Sequence, residues 1–99
     1  MQKRPQLEWR PDARDGLIEI VEYISDDSID AAQALKEEIE DNVNALPAHP
    51  KKYAKSARAP GFRQLTIRRN FLVFYQLVTE ETPELIDVVA VVHARRKWP

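Results

Sequence analysis

The residues able to move a proton or grip an anion are few, and most lie late in the sequence. There are two histidines, His49 and His93. A histidine can act alone as acid or base near neutral pH, but neither has a metal-ligand partner four residues away or a second histidine close by. That argues against a zinc or iron site. His93 ends an apolar run and reads first as a strand-end residue with one satisfied hydrogen bond, and His49 reads as ordinary loop. Ser25 and Ser28 sit where a helix cap is needed, and Ser56 lies in a basic loop without a nucleophile signature, so no Ser-His-Asp arrangement assembles. The two glycines, Gly16 and Gly61, are too far apart for a phosphate-cradling loop, and the absence of cysteine removes disulfides, thiolate metal sites and thiol nucleophiles together. No metal and no organic cofactor is expected.

What remains is a basic set: Arg63, Arg68, Arg69, Arg95, Arg96 and Lys97, with Tyr75 and Trp98 as aromatic company. Arginine forks suit phosphates and carboxylates equally, so a nucleic acid and an acidic protein segment both fit. The net charge of −1 hides a division. Residues 1–46 hold five Lys/Arg against twelve Asp/Glu, a balance of −7, and residues 47–99 hold ten against four, a balance of +6. Such halves can form one acidic and one basic face, or they can simply pair with each other.

The elements that must position these residues follow from periodicity. Gln6-Leu7-Glu8-Trp9 alternates and reads as a short strand closed by Arg10-Pro11. Pro11 opens a helix whose apolar stripe is Ala13, Leu17, Ile20, Val21 and Ile24, with Asp12, Asp15, Glu19 and Glu22 outside and Gly16 as a local weakness. The cluster Ser25-Asp26-Asp27-Ser28 ends it and starts a second helix with Ser28 or Asp30 as N-cap. The stripe there is Ala32, Leu35, Ile39, Val43 and Leu46, and Ala31 and Ala34 would permit close approach. The short link makes the two helices antiparallel neighbours. Residues 49–59 lose all periodicity and read as a basic loop.

Two strands, residues 62–67 and 71–78, flank a tight Arg68-Arg69-Asn70 connection in which Asn70 is able to take positive φ. A turn over residues 79–83 leads to a last strand at residues 85–94. The strand after Asn70 is apolar on both faces, so it is central and packed on each side. The expectation is one α+β domain over residues 1–99, ordered β-α-α-β-β-β, with an antiparallel helical hairpin on one face of a mainly antiparallel twisted sheet. Arg68 and Arg69 at a hairpin tip and Arg95 and Arg96 after the last strand could then meet on one rim. No apolar leader follows Met1, and nowhere do about 18 apolar residues run together as a membrane span requires. A soluble cytoplasmic protein is expected.

Several words of the sequence resemble the RelE/ParE toxins of type II toxin-antitoxin modules. They are Trp9-Arg10-Pro11-Asp12-Ala13, Ile20-Val21-Glu22-Tyr23-Ile24, Pro60-Gly61-Phe62-Arg63-Gln64-Leu65, Phe74-Tyr75 and Val92-His93-Ala94-Arg95-Arg96-Lys97-Trp98-Pro99. Their order spans nearly the whole chain, and the His-Ala-Arg-Arg ending resembles the ParE branch, which includes plasmid stabilisation proteins. The resemblance implies a toxin held inactive by a ParD-like antitoxin encoded beside it, whose C-terminal segment folds as it binds. In the ParE branch the implied target is DNA gyrase, poisoned without chemistry by the toxin itself; in the RelE branch it is messenger RNA cut on the ribosome.

Leu72 stands where the RelE-like nuclease carries an essential arginine, and it cannot stabilise a developing phosphorane charge. Pro99 comes before the segment that bears that branch's terminal tyrosine. A ribonuclease would have to use Arg63, Tyr75, His93 and Arg95. A gyrase-binding toxin would use Arg63, Arg68, Arg69, His93, Arg95, Arg96, Lys97 and Trp98 as a contact surface. A third possibility is an inactive toxin kept as an antitoxin-binding module.

Overall fold

The computed structural model describes residues 4–80 and 82–99. Residues 1–3 and 81 lie outside it, and with them the start of the chain expected to carry no leader and the middle of the 79–83 turn. The elements are β1 (Gln6–Trp9), α1 (Pro11–Ser25), α2 (Ile29–Asn44), a single 3-10 turn (Leu46–Ala48), β2 (Arg63–Ile67), β3 (Phe71–Val78) and β4 (Leu85–His93). The sheet order is β1-β4-β3-β2. β2, β3 and β4 form the expected antiparallel meander, and β1 adds to the outer edge of β4 in parallel. The fold is α+β, with both helices on one face of the sheet.

Each boundary has a local cause. Arg10 is the N-cap residue of α1 but offers no capping side chain, and Pro11, lacking an amide hydrogen, fills the first helical position at no cost. Ser25 Oγ donates back to the Glu22 carbonyl at 2.8 Å. Ser28, of the two candidates, caps α2, its Oγ accepting the Ala31 amide at 3.1 Å. In α2 the buried positions are Ala32, Leu35, Ile39 and Val43. Ala31 and Ala34 are exposed and mediate no close approach, contrary to the sequence reading. The close approach is made by α1 instead: a Cβ built on Gly16 would collide with the backbone carbonyl of Val91 in β4.

That contact has a geometric origin. Ala94 N–H donates to the Asn70 carbonyl at 2.7 Å, which extends the β3–β4 ladder, so by antiparallel alternation Ala90 and Val92 bond toward β3 while Val91 and His93 point their polar groups outward. β1 pairs with β4 only as far as Val88. Beyond it the outer edge is open, and α1 lies against that edge at Gly16. Helix cover of an open edge protects it from pairing with another chain.

Three details depart from the sequence reading. The left-handed residues of the β2–β3 turn are Arg68 (φ 53°) and Arg69 (φ 65°), not Asn70. The left-handed conformation falls on the first two positions of the three-residue loop instead of the last, and Arg68 is held by an ion pair to Glu38 at 2.7 Å. The basic loop is not wholly unpacked. Ala59 is fully buried and Ser56 nearly so, and together with Phe62 and Trp98 the segment covers the sheet face opposite the helices, over Leu72, Phe74, Ala90 and Val92. Finally, β4 carries a bulge. Phe74 pairs with Ala90 but Tyr75 pairs with Val88, which leaves Val89 as an extra residue.

Asp87 is buried on β4. It receives both its charge partner and two hydrogen bonds from Arg10, whose Nε lies 3.0 and 2.9 Å from the two carboxylate oxygens and whose Nη2 lies 2.7 Å from Oδ2. Gln76 donates to the same oxygen at 3.3 Å. Hydrogen bonding from Arg10 holds the Asp87 carboxyl below its ordinary range, against the opposing effect of burial. The pair ties the β1–α1 junction to the strand beside it.

Two predictions follow from these contacts. Gly16→Ala gains about 1 kcal/mol of helix propensity but forces backbone against backbone; overpacking of this kind costs about 1–3 kcal/mol, so urea denaturation should show a net loss of stability. Because the folded pKa of Asp87 lies below its unfolded value, its contribution is complete above the ordinary aspartate value of about 3.9 and fades as pH falls through the folded value. In Arg10→Ala, burial is left to dominate and raises that pKa. The stability gap between wild type and variant should therefore be widest near neutral pH and narrow on acidification, as measured by denaturation at a series of pH values; a gap that widens with acid would refute the assignment.

Candidate functional site

The bulge at Val89 decides which way the end of β4 faces. Ile86 and Val88 pack under the helices before it, and Val91 packs there after it. His93 therefore falls on the helix face as well, its ring edge-on to Phe71 at 5.4 Å between centroids. A tight turn follows: Arg96 N–H donates to the His93 carbonyl at 2.9 Å, and Arg95 N–H donates to His93 Nδ1 at 3.1 Å. In the neutral ring the proton is accordingly on Nε2. Arg96 reaches back to Glu19 of α1 at 3.3 Å, a pair in which both side chains are well exposed and which contributes little stability.

Where α1 leaves the edge of β4, a cleft of about 460 Å³ opens. Its apolar part is Ile20, Tyr23, Ile24 and Phe71, and its polar rim is His93, Arg95, Arg96 and Glu19. Tyr23 is 79% exposed. The chemistry suits a segment with one apolar side and acidic groups beside it.

The tail beyond the turn is fixed from the other side. Trp98 stacks on Phe74 (4.5 Å between centroids, 17° between planes) and meets Phe62 edge-on at 5.3 Å. Trp98 is thus an anchor whose ring faces the sheet, and Arg95, Arg96 and Lys97 form an exposed bend between that anchor and the end of β4. Arg69 belongs to the same end of the sheet through the Asn70–Ala94 bond. The hairpin tip and the tail do share a rim, with Arg68 committed to Glu38.

Arg63 and Tyr75 lie elsewhere. They are paired on β2 and β3, four positions from the Phe71–His93 pair, and Arg63 and His93 stand on opposite sides of β3. Strand spacing places those two backbones roughly 16 Å apart. Tyr75 is fully buried, its hydroxyl donates to the Pro50 carbonyl at 3.1 Å, and burial pushes its pKa up. Arg63 Nη1 donates to the Tyr53 carbonyl at 2.7 Å. The four residues a ribonuclease would need, Arg63, Tyr75, His93 and Arg95, therefore do not converge. Leu72 is buried on the opposite sheet face with Phe74. Among the described residues no three His, Cys, Asp or Glu side chains gather as metal ligands, and no helix is long and apolar enough to cross a membrane.

Sequence reasoning missed the cleft, because Ile20 and Ile24 were assigned to the helix's core stripe; both are only partly buried. It also missed Ser56, whose Oγ accepts the amides of Arg58 (3.1 Å) and Ala59 (3.0 Å) and donates to Gln64 Oε1 at 2.9 Å. Its spacing to those amides is that of a local serine turn, a signal the sequence did carry.

A helical hairpin on a β1-β4-β3-β2 sheet, with a basic turn closing the last strand, is the α+β fold of the RelE and ParE toxins. The chain belongs to the ParE family: residues 7–98 match the model described as ParE toxin of type II toxin-antitoxin system, parDE. A solved structure described as the chromosomal ParDE TA system from P. aeruginosa is similar over 91% of this chain and 96% of that one, with a TM-score of 0.75 and 19% identity, a likeness that bears on the fold alone. No protein with a curated description matches the sequence.

Trp98→Ala should cost about 2 kcal/mol, less than the loss at a fully buried aromatic because the ring is only half covered. With the anchor gone, limited trypsin digestion should cut at Arg95, Arg96 and Lys97 much faster than in wild type while the rest of the chain stays resistant. Equal cleavage rates would show that the tail is held by something else.

Proposed function

We propose that this ParE-family chain is a toxin that acts in the cytoplasm by contact, poisoning DNA gyrase through the basic rim at the end of its sheet, and that a ParD-like antitoxin encoded beside it keeps it inactive. The observation that carries the reading is the combination of family membership with a rigid, outward basic turn. Arg95, Arg96 and Lys97 are pinned between His93 and Trp98, with Arg69 beside them. Pre-ordering such a rim removes part of the entropy cost of binding. The separation of Arg63 and Tyr75 from His93 supports contact over chemistry. In this reading the antitoxin lays an amphipathic segment into the cleft between α1 and β4, apolar side on Ile20, Tyr23 and Ile24, acidic side toward Arg95 and Arg96.

One observation keeps the ribonuclease reading in play: His93, with its proton on Nε2, lies beside Arg95 and Arg96 at the mouth of that cleft, where a histidine and two cations could serve a phosphodiester. Expression of the chain alone should arrest growth, and co-expression of the neighbouring gene should relieve it. With purified gyrase, the toxin should inhibit supercoiling and accumulate cleaved DNA, and Arg95→Glu with Lys97→Glu should raise the concentration required by about tenfold or more. Gyrase left untouched by excess toxin would sink the gyrase reading. If messages on translating ribosomes were cut instead, and His93→Ala stopped the cutting, the ribosome would be the target. A harmless chain that still bound the antitoxin would be an inactive toxin.

A further inference from the structure

The turn that ends β4 is built like one that opens on asparagine, yet His93 stands at its first position. The His93 carbonyl accepts the Arg96 amide three residues on at 2.9 Å, the bond of a β-turn over His93-Ala94-Arg95-Arg96. Asn and Asp are favoured at the first position of such turns because the side-chain oxygen accepts the amide two residues on. His93 Nδ1 accepts the Arg95 amide, also two residues on, at 3.1 Å. Histidine Nδ1 and asparagine Oδ1 are both bonded to Cγ, so the two hydrogen bonds close rings of the same size.

The imitation carries a condition that asparagine does not. An amide oxygen always has lone pairs to offer, whereas Nδ1 accepts only in the neutral ring; in the protonated ring both nitrogens are donors. Histidine is the side chain that changes charge between about pH 5 and 8. Protonation sets Nδ1–H against the Arg95 N–H and the ring's charge against nearby cations. Around the ring, α1 contributes Glu19 and Tyr23, the tail Arg95 and Arg96, the hairpin tip Arg69, and β3 the uncharged Phe71. Glu19, the one carboxylate among the described residues of the cleft, already pairs with Arg96 at 3.3 Å. The Ala94 amide stays bonded to the Asn70 carbonyl at 2.7 Å, and Trp98 stays stacked on Phe74. The freedom gained falls on Arg95 and Arg96.

We propose that His93 is a positioning residue: its neutral Nδ1 shapes the turn that aims Arg95 and Arg96, and protonation of the ring opens that turn. The aim of the basic rim then responds to pH while the fold beneath it does not. This role differs from that of an acid or base, which exchanges a proton with its substrate and has no substitute in an uncharged amide. A turn-forming acceptor does have one. That the turn meets a target rests on the contact reading above; that His93 shapes it does not.

The test compares wild type with His93→Asn and His93→Ala. Both variants lose the ring's edge contact with Phe71, so the difference between them isolates the acceptor; circular dichroism confirms that each folds. In the nitrogen-15 spectrum of the imidazole, wild type at about pH 8 should show the proton on Nε2. The Arg95 amide proton should move upfield as the ring titrates between about pH 8 and 5, and in His93→Asn it should stay in place over the same range. At pH 8, trypsin should cut His93→Ala at Arg95 and Arg96 faster than wild type, and His93→Asn at the wild-type rate. With purified gyrase at that pH, His93→Asn should inhibit supercoiling at the wild-type concentration within about twofold, whereas His93→Ala should need about threefold to tenfold more, the worth of one hydrogen bond. A proton on Nδ1, an Arg95 amide indifferent to the titration, or an Asn variant no better than Ala would overturn the proposal. So would messages cut on ribosomes by wild type and by neither variant, which would make His93 an acid or base. Gyrase left untouched by wild type would instead defeat the contact reading, and the spectra and the trypsin rates would still decide the turn.

Discussion

The passage of α1 across the open edge of β4 is the contact on which the rest of the structure depends. β4 must be a central strand for its full length to be usable, yet β1 covers its outer edge only to Val88. The remaining polar groups of that edge need cover of another kind. A helix can supply it only by bringing its axis close, and a side chain at the crossing would keep it away. Gly16 removes that obstacle opposite the Val91 carbonyl, at the expense of helix propensity in the middle of α1. The cost is local, and the result is that the uncovered outer edge of β4 stays shut to other chains.

The cleft is a consequence of the same crossing. α1 continues past Gly16 while β4 ends in a turn, and the cleft between them leaves Ile20 and Ile24 partly uncovered beside Phe71. The bulge at Val89 then supplies the rim. Without it, the alternation set by Ile86 and Val88 would turn Ala90 and Val92 toward the helices and His93 away from them. One extra residue reverses this and delivers His93, with the bend of Arg95 and Arg96, to the mouth of the cleft. Packing and site are settled by one backbone irregularity.

Much of this was legible from the residues. The helix boundaries at Pro11, Ser25 and Ser28 carry their own punctuation, and β3 announced its central place by being apolar on both faces. The bulge could not be read, because Val88-Val89-Ala90-Val91-Val92 is apolar throughout and a change of parity leaves no trace in such a run. Gly16 looked like a weakness because propensity is a local quantity, whereas its role depends on a strand seventy-five residues away in sequence. Residues 49–59 looked like bare loop because their anchors, Ser56 and Ala59, are small and lack periodicity. Trp98 looked like a contact residue because nothing in the sequence says that Phe74, twenty-four positions earlier, offers it a ring to stack on.

The charge division gains its meaning from the layers. An α+β fold with helices on one face sends the first half of the chain, rich in acidic residues, to that face, and leaves the basic second half to the β2–β4 meander and the segments that flank it. Where the layers touch, Glu38 meets Arg68 and Glu19 meets Arg96; away from that seam the signs separate. A molecule so divided has little net charge to attract a partner from afar, but a strong preference for how it meets one. Among the described residues, the exposed large apolar side chains Ile18, Tyr23 and Ile29 share the helix layer with most of the acidic groups. The bend at Arg95 to Lys97 reaches from the cleft on the helix face to Trp98 on the other, so these three cations stand where the two layers meet.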